Sequence, residues 1–189
     1  MSVSECEATK TPNVATLIRA TLVSSEEKMQ DQFEWPEPEH EADKIILRNV
    51  RNHGCHITGI PDANPSFSFS IGLHLNYGHP ELIIFGQRAE TAQAIINLIR
   101  DRVAAGHQFV DGDVADDMLE NGYKLGFWQV PLGVYREYLG TAIWFYQKSR
   151  FAFPCLQVIW QDANRRFPWE KECSPTVKKD QPLLKKMVS

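Results

Sequence analysis

His53, Cys55 and His56 fall within four residues, and His74, His79 and Glu81 follow a serine-rich segment. If the two stretches pair as a hairpin, His56 and His74 approach one another. A His/His/Glu metal site is then conceivable, because imidazoles and carboxylates are ordinary zinc ligands. The spacing matches no metal signature such as H-E-x-x-H. Imidazoles that cap a helix or bond a loop explain the same residues, so no metal is assigned. Gly78-His-Pro-Glu81 fixes a turn before an apolar run. His79 and Glu81 there offer an acid/base pair. The preferred reading has Glu81 taking loop amides and orienting His79, since no nucleophile sits in an elbow motif nearby.

Ser66, Ser68 and Ser70 alternate with Phe67, Phe69 and Ile71. Three hydroxyls on one strand face can line a ligand pocket, although the wet side of a half-buried sheet is the expected reading. Trp160, Asp162 and Phe167-Pro-Trp169 could form a stacking platform for a flavin or a base, or a protein-binding hot spot. A packed lid over the sheet edge is the plainer use of such residues. The candidate pocket is therefore His53, His56, Ser68, Ser70, His74, His79, Glu81, Trp160, Asp162 and Trp169. No catalytic residue and no cofactor is assigned. The glycines make neither G-x-G-x-x-G nor a Walker loop.

The elements that position these residues are readable in outline. Residues 1–40 read as an N-terminal arm and linker, with a short amphipathic segment at Val14–Val23 and an acidic, proline-interrupted stretch over 32–39. Residues 41–189 form one domain with a C-terminal tail. Ala42, Ile45, Ile46 and Val50 give the first helix its apolar face, and Gly54 ends it. Strands are predicted over 55–60, 67–73, 81–86, 107–110, 123–130 and 153–160. The strongest helix spans 90–105, with Ala92, Ile95, Ile96, Ile99 and Val103 as its buried stripe. A short helical turn falls at 135–140, while 141–148 fits neither period. The order implies an α+β fold: a mainly antiparallel curled sheet or split barrel with helices packed on one side.

Composition narrows the function classes. A net charge of −4 and a pI near 5.9 argue against a general nucleic-acid binder. The lysines at 178, 179, 185 and 186 read as a solvated tail. No run approaches the roughly 18 apolar residues of a membrane helix, and no secretory signal is visible, so a cytoplasmic location is expected. The four cysteines, spread along the chain without a C-x-x-C pair, are expected to be free thiols.

Several distinctive blocks stand in order along the chain: His53-Gly54, Phe69-Ser-Ile-Gly-Leu73, Gly78-His-Pro-Glu-Leu82, Phe85-Gly86 and Asn97. After them come Tyr146, Gln157-Val-Ile-Trp160, Asp162, Phe167-Pro-Trp169 and Gln181-Pro-Leu-Leu184. In these blocks most of 41–184 resembles a bacterial family, domain of unknown function 4262. It departs from that pattern at Cys55, where an aromatic is usual, at Arg165-Arg166, where a glycine-containing turn is usual, and in its long N-terminal arm. The resemblance implies no activity and no catalytic residue. The expectation is a non-catalytic binding or accessory protein of the immunity type, meeting a protein partner through an acidic surface such as the loop 111–120. A flavin-binding split-barrel oxidoreductase is the alternative, and a metal-dependent hydrolase ranks below both.

Overall fold

The computed structural model describes residues 33–149 and 152–185. The expected segment Val14–Val23 lies outside the described residues.

Helix α1 spans Glu41–His53. Asp43 Oδ2 accepts the N–H groups of Glu39 and His40, both at 2.9 Å, which satisfies donors the first turn leaves open. Gly54 ends the helix in the left-handed region (φ 79°), and a Cβ there would meet the Tyr77 hydroxyl at 2.0 Å. The buried face is Ile46, Leu47 and Val50, turned slightly from the expected stripe, so that Ile45 is exposed.

Strand β1 (His56–Ile60) pairs antiparallel with β2 (Phe67–Ile71), which leads through the short helix α2 (Leu73–Tyr77) into β3 (Glu81–Phe85). Helix α3 (Ala89–Ala104) follows. The short strand β4 (Val114–Ala115) and β5 (Leu125–Gln129) pair antiparallel. Helices α4 (Tyr135–Tyr138) and α5 (Gly140–Tyr146) lead to strand β6 (Cys155–Trp160), and α6 (Pro175–Asp180) closes the described chain. The strand order is β1-β2-β3-β6-β5-β4 in one open sheet. Among the described strands only β3 and β6 run parallel, so the α+β class and the mainly antiparallel pairing hold, with one mixed junction at the centre. A parallel pair needs a long crossover, and everything from α3 to α5 supplies it.

Helices cover both faces of the sheet, where the sequence placed them on one. The cause is visible in β3, whose successive residues point to opposite faces and carry no polar alternation. Ile83 and Phe85 join a core with α1, α4 and α5. Leu82 and Ile84 join a second core with α3. A strand apolar on both faces cannot leave either to water. Ser68 and Ser70 are consequently buried, not on a wet side, because α3 packs across β2.

Two ambiguous segments resolve by tertiary packing. Residues 141–146 are helical, with Phe145 and Tyr146 turned into the first core. Residues 107–110 are not a strand; Phe109 instead stacks on Phe127 (4.4 Å, 16°) in the second core. Ahead of α1, Phe33 stacks on Phe145 (5.1 Å) and Arg51 sits over the Trp35 ring (4.1 Å). No described helix is long and apolar enough to cross a membrane.

Candidate functional site

Glu81 opens β3 with no exposure to solvent. Its Oε1 accepts the Gly72 N–H (2.8 Å), the His74 N–H (3.1 Å) and the Tyr146 hydroxyl (2.5 Å). Ser70 donates to Oε2 at 2.5 Å and accepts the Leu82 N–H at 2.9 Å. Its carboxyl oxygens thus take two backbone N–H groups and two hydroxyls. No ion pair to Glu81 forms among the described residues. The glycine is required for this: Gly72 sits at φ 106°, and a Cβ would meet Val50 at 2.6 Å. Burial, then the Glu81 charge, raises the Tyr146 hydroxyl well above its ordinary pKa.

His79 is equally buried. Nδ1 lies 2.7 Å from the Pro80 carbonyl and must donate to it, while Nε2 accepts the Phe109 N–H at 3.2 Å. That fixes one neutral tautomer, and burial holds the imidazole down to about 4 despite the opposing Pro80 bond. Glu81 and His79 thus each bond elsewhere: the carboxylate gathers the β2–α2 turn and α5, whereas His79 pins the 107–110 loop. His74 gives its backbone N–H to Glu81 and sets its ring against Tyr146 (6.1 Å). Burial lowers its pKa against the pull of the Glu81 charge, and its buried Nδ1 meets no hydrogen-bond partner among the described residues.

The aromatic residues pack ring on ring. Trp169 stacks between Trp128 (4.7 Å) and Phe167 (4.2 Å) above Gly126, where a Cβ would strike its ring at 2.8 Å. Trp160 donates Nε1–H to the Phe85 carbonyl at 2.9 Å. Asp162 accepts the N–H groups of Asn164, Arg166 and Ser174 at 2.8–2.9 Å. Those bonds, that from Ser174 first, lower its carboxyl pKa.

His53 and His56 lie apart from all of these. They line a polar cleft of about 310 Å³ with Asn49, Gln93, Asn97 and Arg100. Asn49 Nδ2 donates to His56 Nδ1 at 3.0 Å, so the neutral ring carries its proton on Nε2. Burial lowers the His56 pKa. Cys55 also borders the cleft, but burial, followed by the Glu81 charge, pushes its thiol up to about 11, far from the thiolate that would make it reactive. Among the described residues no three His, Cys, Asp or Glu converge to hold a metal ion. The imagined His/His/Glu set is divided, with His56 on Asn49 and Glu81 fully engaged with its donors.

The site expected from the sequence did not include Asn49, Gln93, Asn97 or Arg100. For the three on α3 the available signal was their spacing, i, i+4 and i+7, a polar stripe beside the buried one. Tyr146 was noted, but its partnership with a residue 65 positions away leaves no local trace.

Fold and site together define a three-layer α+β protein, an open sheet between helices with a buried carboxylate at its heart. Residues 49–174, more than half of the 189-residue chain, match the family described as domain of unknown function (DUF4262). The chain belongs to that family. No curated protein and no solved structure matches it.

Proposed function

We propose that this is a non-catalytic binding protein of the accessory type, one that holds a partner or ligand without transforming it. The supporting observation is how its polar side chains are employed. Ser70, His79, Glu81 and Asp162, the residues best suited to chemistry, are buried and spend their hydrogen bonds on turns, caps and strand starts. In the cleft beside His53 and His56 the polar groups are amides, imidazoles and a guanidinium, which recognise by hydrogen bonding. The acidic loop is a poorer contact surface than its composition suggests. Asp111 pairs with Lys185, Asp116 with Lys124 and Asp117 with Arg102, so three of its five acids are answered within the chain.

Metabolite profiling tests this reading. A small-molecule extract of the producing cells, incubated with the purified protein, should return chemically unchanged. Consumption of any component that a folded Glu81→Gln or His79→Gln variant abolishes would replace binding with catalysis.

A further inference from the structure

The structure assigns the cleft between α1, β1 and α3 to an oxyanion: we propose that it binds a small molecule through a carboxylate or phosphate group. This rests on the binding reading above and names the ligand class.

The argument begins with charge. The chain carries a net −4, yet among the described residues no acid lines this cleft, whose polar walls are Asn49, His53, His56, Gln93, Asn97 and Arg100. Each of the principal groups can present an N–H: the Arg100 guanidinium, the side-chain amides of Gln93 and Asn97, and the Nε2–H that the Asn49 contact leaves on His56. Converging donors suit a ligand group that only accepts. Two helices supply them in register, Asn49 and His53 at i, i+4 on α1 and the three residues of α3 at i, i+4 and i+7.

Arg100 is also pre-positioned. Its Nε and Nη2 both bond to Asp101 Oδ1, at 3.0 and 2.7 Å. A guanidinium anchored by one edge loses less freedom when the other edge binds. Asp101 offsets part of the charge, although its side chain is 67% exposed and the pair is screened by solvent. One anionic group therefore fits the site better than a polyphosphate.

The test is an amide NMR titration of the isotope-labelled full chain, with inorganic phosphate and acetate added separately at constant ionic strength. At least one probe should give saturable shifts confined to residues 49–57 and 93–100 at concentrations up to roughly 50 mM. Response to phosphate alone identifies a phosphate site, and response to acetate a carboxylate site. Arg100→Gln should weaken the affinity about tenfold or more. Should that variant unfold, Asn97→Ala on the half-buried rim should still cost several-fold. Absence of saturable shifts in the cleft from both probes, or unchanged affinity in the variants, overturns the assignment. Such a failure removes the oxyanion and leaves the binding reading standing; metabolite turnover, a separate readout, removes the binding reading.

Discussion

Glu81 and His79 show two ways of burying a group that prefers water. Four donors surround the carboxylate, whereas the imidazole gives up its charge and bridges two backbone groups. Glu81→Gln would place an NH2 where a carboxyl oxygen accepts, against either the N–H groups of Gly72 and His74 or the Ser70 hydroxyl, which already accepts from Leu82. A loss of roughly 3 kcal/mol is expected, read as a lower urea midpoint with the far-ultraviolet spectrum retained. Tyr146→Phe, which removes one charge-assisted donor, should cost less, roughly 2 kcal/mol. His79 makes a pH prediction. Its folded pKa of about 4 lies below the ordinary 6.5, so the unfolded chain takes up the proton first as pH falls. The stabilisation is complete above pH 6.5 and is lost between 6.5 and 4, amounting to roughly 3 kcal/mol. Burial shifts His56 and His74 in the same direction. His79→Gln, whose amide can donate to Pro80 and accept from Phe109 without titrating, should flatten urea midpoint against pH in that window. A slope equal to that of the native chain would show that His79 is not its source.

Elements are held at their ends by close approaches. Gly54→Ala must strain a left-handed backbone and displace the Tyr77 hydroxyl. It should lower the melting temperature by several degrees, a destabilisation of about 2 kcal/mol. At the other end of the chain Gln181 exchanges hydrogen bonds with both the N–H and the C=O of Trp160, each at 2.9 Å. Gln157 likewise bonds the Pro182 carbonyl and the Leu184 N–H. Two glutamines thus tie the C-terminal segment to β6, and Lys185 adds a bond to Asp111. Gln181→Ala should speed amide exchange at Trp160 and loosen α6 with little effect on α1. Much at this scale was legible: the stripe of α3, the stop at Gly54 and the strands at 67–71 and 81–85 all follow from period and punctuation. Residues 107–110 and 141–146 were not, because their conformations answer to distant partners, His79 for the loop and the first core for Phe145 and Tyr146.

At the scale of the whole molecule, the continuous apolar run of β3 needs cover on both faces, which the expectation of helices on one side and a wet Ser68–Ser70 face did not take into account. What the sequence could not show was the sorting of its polar residues. His53 and His79 look alike as letters, yet one borders a cleft and the other is sealed in the core. Burial makes that division, and the proposed function depends on it. The measurement that bears on it most directly is native mass spectrometry of the protein purified gently from its own cells, with Arg100→Gln prepared alongside. The native chain should carry a non-covalent companion that is released chemically unchanged and that the equally folded variant has lost. A companion retained at full occupancy by the variant would contradict its placement in the cleft, and a native chain bare in every preparation would contradict the binding reading itself.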